Sequence, residues 1–259
     1  MEFEALIPAG GVASRLGPLP CSKEIFPLTG QFIHDRVKVV CENLIEYYRI
    51  AGIRNIHFII RKGKWDIPQL LGDGSTNEVQ ISYHIMNLPF GTPFTLDQAY
   101  PFIKEKNIAL DFPDIVMEPK NAFKSLKEKL INSNDDIVLG IFPIKYYWKW
   151  DMVDLAGNNI KNIIIKGKRS DLKYGWSNAV WKPSFTNFMH KFLSELISYN
   201  SKGTRLLDGG VERELYVGDV FTEAMKNGLK ISYVMFENGF TTDIGTHDEM
   251  SQFLKKSIK

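Results

Sequence analysis

The sequence predicts a three-layer α/β fold with a mostly parallel central sheet. Three observations carry that prediction. Apolar runs and amphipathic stretches alternate through the first half of the chain, the pattern of strands joined by helical crossovers. The runs Ala5–Ile7, Ile108–Leu110 and Ile137–Ile144 are short and continuously apolar, as strands buried on both faces are. The chain has 259 residues, 44% apolar and 24% charged, enough for one large α/β domain or two small ones.

Taken in order, Ala5–Ile7 reads as the first strand and breaks into a Pro/Gly turn. Phe32–Ile50 carries Val37, Val40, Leu44, Ile45 and Tyr48 at helical spacing and stops at Gly52. Asn55–Ile60 is β-rich, so the opening is β-loop-α-β. Lys64–Leu71 predicts a short helix, 72–74 a turn and Val79–Met86 a strand, followed by a loop over Leu88–Thr92. Leu96–Glu105 predicts a helix, and Ile108–Leu110 a strand ending at Asp111-Phe112-Pro113-Asp114. Ala122–Ile131 is helical and Ile137–Ile144 a strand. In the second half, Ile160–Ile165 and Ser177–Trp181 read as strands around a basic turn. Pro183 opens an amphipathic helix, and Lys202–Gly210 reads as a loop. Val217–Lys226 is a helix, Leu229–Phe236 a strand and Gly239–Thr246 a loop before a C-terminal helix and basic tail. No repeat or low-complexity tract interrupts the chain. The second half is therefore expected to extend the first half's sheet and cover its ligand edge.

Composition narrows the function. A formal net charge of +2 argues against nucleic acid as the main partner. Two cysteines, Cys21 and Cys41, are too few for a disulfide framework. No apolar stretch is long enough to span a bilayer, and the N-terminus runs straight into a strand, so a cytoplasmic protein with no membrane partner is expected. The five histidines show no zinc spacing, and no nucleophile elbow is present.

The first loop holds the densest chemistry. Gly10 and Gly11 follow the first strand, and glycines there let bare backbone approach a ligand. Arg15 and Lys23 bring two cations to the same loop, a combination suited to a polyphosphate. Gly91 and Asp114 also fall at predicted strand ends and are expected on the same edge. Asp114 and Asp243 are two carboxylates that folding could unite around Mg2+, which takes oxygen ligands. Asp111 is a close rival to Asp114 that spacing alone does not separate.

These segments resemble the sugar-1-phosphate nucleotidylyltransferase family, which includes the glucose-1-phosphate thymidylyltransferases. Gly10, Gly11, Arg15, Leu16, Pro18, Lys23 and Pro27 fit its glycine-rich signature, while Ala13 and Ser14 stand where it usually has Gly and Thr. Asp243-Ile244-Gly245-Thr246 resembles its late Asp-x-Gly-Thr motif, and Phe112-Pro113-Asp114-Ile115 its metal-binding segment. Lys166 stands where the family has the lysine of Glu-Lys-Pro, with Ile165 and Gly167 replacing the glutamate and proline and Lys168 a local competitor. Tyr174 to Trp181 resembles the stretch lining the sugar pocket, and Asp219 matches a family aspartate that also suits a helix end.

The resemblance implies a Rossmann-like nucleotidyltransferase domain over 1–259, with a nucleotide-binding half of about 1–115 and a sugar-phosphate-binding half of about 116–259. It implies transfer from a nucleoside triphosphate, most like dTTP or UTP, to a hexose 1-phosphate, with pyrophosphate released. Arg15 and Lys23 would be catalytic; Gly10, Gly11 and Gly91 would bind nucleotide. Lys166, Tyr174 and Trp176 would bind the sugar phosphate, and Asp114 and Asp243 the Mg2+ cofactor. A homo-oligomer is compatible with the family. With Ile165 in place of the glutamate, the carboxylate contact to the sugar is expected to be lost and sugar preference to broaden or shift; Ile165→Glu would sharpen it. The alternative is a non-catalytic nucleotide- or sugar-binding regulator on the same fold. A dinucleotide-binding oxidoreductase is disfavoured, because the second strand ends in Arg61-Lys62 rather than an acidic residue.

Overall fold

The computed structural model describes residues 2–11, 19–33, 35–86, 90–166, 169, 171–199, 205–208, 211–246, 248–251 and 253. Its strands are β1 Phe3–Ala9, β2 Pro27–Ile33, β3 Arg36–Val39, β4 Asn55–Arg61, β5 Gln80–Met86, β6 Asn107–Leu110, β7 Ile115–Glu118 and β8 Ile137–Pro143. They continue with β9 Met152–Ala156, β10 Asn159–Ile164, β11 Tyr174–Trp181, β12 Arg205–Asp208, β13 Val211–Glu214, β14 Ile231–Met235 and β15 Phe240–Asp243. The helices are α1 Cys41–Ile50, α2 Asp66–Leu71, α3 Thr92–Asp97, α4 Tyr100–Ile103, α5 Ala122–Ile131, α6 Pro183–Tyr199 and α7 Val217–Lys226.

Nine of the described strands form one sheet. β5, β4, β1 and β6 run parallel; β11 then pairs antiparallel with β6 and β8, and β14 lies parallel to β8. β9 joins β11 at Gly175, with β10 outside it. Successive strand residues point to opposite faces, so each strand feeds two cores. Ala5, Ile7, Phe58 and Val180 meet α1 and α5, while Leu6, Ile59, Leu139 and Trp181 meet α3, α6 and α7. Those are the three layers expected. The second half does extend the first half's sheet.

Several local expectations are corrected. Phe32–Val40 is not helical: β2 and β3 form a hairpin, and α1 begins only at Cys41. Its β-branched residues suit a pleat better than a helix, and Glu42 fixes the junction by accepting from Arg36 and from the Val39 N–H at 2.8 Å. The single helix over Leu96–Glu105 is two short ones, each opened by a proline near its start, Pro93 and Pro101. The expected loops at Gly239–Thr246 and Lys202–Gly210 contain β15 and β12, and β7, β9 and β13 are further strands. β15 lies antiparallel to β7, with Asp243 opposite Ile115. No helix among the described residues is long and apolar enough to cross a membrane.

Candidate active site

The parallel strands deliver their carboxyl ends to one edge, where open α/β sheets bind ligands. β1 ends at Ala9, and Gly10 and Gly11 turn over that edge. A side chain at Gly11 would meet only Lys23 Cε, at 3.9 Å, so the backbone there faces open space. Gly91 is different. Its φ of 121° and its approach to Leu215, whose carbonyl would lie 2.4 Å from an added carbon, both demand glycine for the fold itself.

Lys23 is held from beneath. The Ser22 backbone N–H and hydroxyl donate to the Asp66 carboxylate at 2.6 and 2.7 Å, tying the loop to α2. Next to Lys23, Glu24 is fully buried, and both its carboxylate oxygens accept from Lys64 Nζ at 2.7 Å. Burial raises the Glu24 carboxyl and lowers the Lys64 ammonium, in each case against the pull of the partner. With its neighbours fixed, Lys23 Nζ reaches Asp114 Oδ2 at 2.5 Å. Burial works against the charge of Lys23, but Asp114, with Glu24 and Asp243 nearby, holds it above the ordinary lysine value. Lys23 therefore stays a cation.

The β7–β15 ladder brings the two aspartates together. Asp114 immediately precedes β7, Asp243 ends β15, and the Ile244 N–H donates to the Asp114 carbonyl at 2.9 Å. Gly245 shows how close the carboxylates come: a carbon added to it would fall 2.6 Å from Asp243 Oδ1 and 2.9 Å from Asp114 Oδ2. Asp111 faces elsewhere. It is fully buried, its Oδ1 accepts from the Phe112 N–H at 2.7 Å, and its Oδ2 has no hydrogen-bond partner. Burial pushes its carboxyl well above the usual carboxylate range, with Asp114 adding to the shift.

Two lobes of one cleft meet over Lys23 and Asp114. The larger, about 620 Å³, is lined by Gly10, Gly11, Arg61, Lys62, Gly91 and Thr92 among others. The smaller, about 250 Å³, is lined by Lys149, Asp151, Lys166, Trp176, Tyr216 and Asp243 among others. Lys23, Thr92, Phe112, Asp114 and Glu214 border both. Lys166 lies with its ammonium 4.5 Å from the centre of the Tyr216 ring, a cation–π contact. Tyr216 is the residue that caps the start of α7, where Asp219 Oδ2 accepts from the Tyr216 N–H at 2.9 Å.

Of the residues singled out from sequence, Gly10, Gly11, Lys23, Gly91, Asp114, Lys166, Trp176 and Asp243 line this cleft. Arg15 lies outside the described residues. Tyr174 is not among the lining residues: at the first position of β11 it reaches past the rim, and its hydroxyl donates to Glu237 at 3.0 Å. Trp181 is wholly in the core. Sequence reasoning missed Asp151, Tyr216 and Glu214, and used Arg61 and Lys62 only to exclude a dinucleotide. The turn Gly157-Asn158 could have revealed Asp151, because it folds β9 and β10 into a hairpin.

No family model matches the chain. It is 22% identical over 257 residues to a glucose-1-phosphate thymidylyltransferase of Neisseria meningitidis, spanning 96% of this chain and 81% of that protein. A low-salt glycan biosynthesis nucleotidyltransferase of Haloferax volcanii is 29% identical over 119 residues, 45% of this chain and 31% of that relative's length. Among solved structures, a Bacillus anthracis protein assigned as a glucose-1-phosphate thymidylyltransferase, in complex with sucrose, superposes with a TM-score of 0.81 at 17% identity, covering 99% of this chain and 96% of that one. In sequence along nearly its whole length, and in fold, the chain resembles the sugar-1-phosphate nucleotidylyltransferases.

Proposed function

We propose that the protein joins a nucleoside triphosphate to a sugar 1-phosphate, releasing pyrophosphate and a nucleotide sugar. The observation that carries this reading is the two-lobed cleft with Lys23 and Asp114 on its shared wall. One lobe offers glycine backbone and the cations Arg61 and Lys62 to the triphosphate. The other offers Lys166 to the sugar phosphate and Trp176 to the sugar face. The thymidylyltransferase relative makes dTTP and a hexose 1-phosphate the substrates to try first, with UTP beside dTTP. The nucleotide-binding half then corresponds to about 1–115 and the sugar-phosphate half to about 116–259.

The reaction asks for alignment rather than a protein nucleophile. An oxygen of the sugar phosphate attacks the α-phosphorus in line; that P–O bond forms as the bond to pyrophosphate breaks, and the electron pair leaves with pyrophosphate. Lys23, kept charged at the junction, neutralises the crowding of two anions. Arg15 is assigned to the leaving pyrophosphate. The carboxylates beside Gly245 form a cradle of hard oxygen donors, so Asp114 and Asp243 would hold Mg2+, which when bound supplies charge neutralisation at the α-phosphate. Glycine at 245 keeps that cradle open.

The test is pyrophosphate release from a panel of triphosphates and hexose 1-phosphates with Mg2+. Release should require both substrates together. Triphosphate binding, read as a thermal shift, without release from any pair would instead favour the regulator reading.

A further inference from the structure

The smaller lobe contains a buried carboxylate that the transfer chemistry leaves unused. Asp151 is 7% exposed, yet it lines the lobe. It stands one residue before β9, and the last register pair of β9 with β10 is Met152 with Ile164. The next step along the hairpin sets Asp151 across from Ile165. Cross-strand neighbours present their side chains on one face, and these two meet. A carbon added at Gly218 would fall 2.6 Å from Asp151 Oδ2 and 2.7 Å from Ile165 Cδ1.

The position of Asp151 is fixed by backbone. The Lys166 N–H donates to its Oδ1 at 3.3 Å, and the Trp176 N–H donates to its carbonyl at 3.2 Å. Burial raises its carboxyl, Asp219 adds to the shift, and Lys166 and Trp176 oppose it. An ionised carboxylate offers about four acceptor sites on its two oxygens, so the Lys166 N–H and the Trp176 indole beside it leave it capacity for a ligand. Keeping a carboxylate at the wall of a cavity is costly unless something there uses it.

We infer that Asp151 accepts hydrogen bonds from ring hydroxyls of the acceptor sugar, in place of the carboxylate that Ile165 lacks. The inference rests on the sugar-phosphate reading of this lobe. The hairpin moves the acidic group from β10 to the facing position before β9 and keeps it beside Lys166. A carboxylate to read hydroxyls and a lysine to hold phosphate are then both present. On this inference the chain keeps a sugar acceptor on the neighbouring strand, and discrimination among sugars is retained rather than lost.

Asp151→Asn tests this, because it preserves size and an acceptor for the Lys166 N–H while removing charge. Hexose 1-phosphate binding, measured by calorimetry with the triphosphate analogue present, should weaken roughly 10- to 100-fold, the range for a lost hydrogen bond to a charged group. Triphosphate binding should hold, and discrimination against deoxyhexose 1-phosphates should fall toward one. Equal weakening of both ligands, or undiminished discrimination, overturns the inference. Ile165→Glu gives a second arm should Asp151→Asn fail to fold. In the native background it should weaken hexose 1-phosphate binding, since two carboxylates at one point repel; in the Asp151→Asn background it should restore discrimination. Sharpened discrimination from Ile165→Glu alone overturns the inference. A native protein that binds hexose 1-phosphate but releases no pyrophosphate refutes the transfer reading and leaves the Asp151 result standing; one that binds no hexose 1-phosphate overturns the inference.

Discussion

Two glycines in the cleft answer to different demands. Gly11 faces open space and has no left-handed backbone, so Gly11→Ala should leave the melting temperature unchanged or slightly raised. If bare backbone there touches phosphate, the Michaelis constant for the triphosphate should rise at least about tenfold, since a hydrogen bond to a charged group is worth about 1.5–3 kcal/mol. Gly91→Ala should do the reverse. It forces a strained φ against the Leu215 carbonyl and should cost about 1–3 kcal/mol of stability, read by urea unfolding. The aspartates allow a similar contrast. Asp243→Asn should cut turnover at saturating Mg2+ by at least about 100-fold, as loss of a transition-state electrostatic contact does. Asp111→Asn should leave turnover near native, because Asp111 is sealed in the interior. Turnover of Asp114→Asn should fall with that of Asp243→Asn; lost turnover in Asp111→Asn with Asp114→Asn near native would make Asp111 the metal-facing residue.

At the scale of elements, the elements with strong local signals were legible. Ala122–Ile131 and Val217–Lys226 are helices over the residues that the 3.6-residue period predicts, and β1, β4 and β5 sit where apolar runs end in glycine or polar turns. The elements that assemble the aspartates were not legible. β7 and β15 are four residues each, more than a hundred residues apart in sequence, and make sense only as partners. A segment so short carries no period of its own, and its pairing is decided by tertiary context. The same holds for Asp151, whose neighbour Ile165 is reached through a hairpin. The Lys23 loop depends on α2 in a way that sequence also hides, because Glu24 and Lys64 are distant in the chain. Lys64→Met should destabilise by about 3–5 kcal/mol, leaving Glu24 buried without its partner. Adding Glu24→Gln should recover most of that loss. If the single variant melts like the native protein, the pair does not anchor the loop.

At the scale of the molecule, the fold class was read correctly because alternation of strands and helices is a global pattern that survives local errors. The sheet then does two jobs with one edge. Its parallel half ends at the larger lobe, and its antiparallel half, through β11 and the β9–β10 hairpin, walls the smaller one. That geometry has a thermodynamic consequence. Lys23 and Asp114 are boundary residues of both lobes, so occupancy of one must change the electrostatic field felt in the other. Without a divalent cation, two anions drawing on one ammonium should each weaken the other. Coupling of this kind is reciprocal: the factor by which hexose 1-phosphate alters triphosphate affinity equals the factor in the other direction. Titrating each ligand with and without the other, in chelator and then in Mg2+, should show antagonism that turns to cooperation. Independent binding under both conditions would mean that the shared wall transmits nothing. If the antagonism is found, the order in which the two substrates load becomes a property of ionic conditions rather than of the cleft's shape.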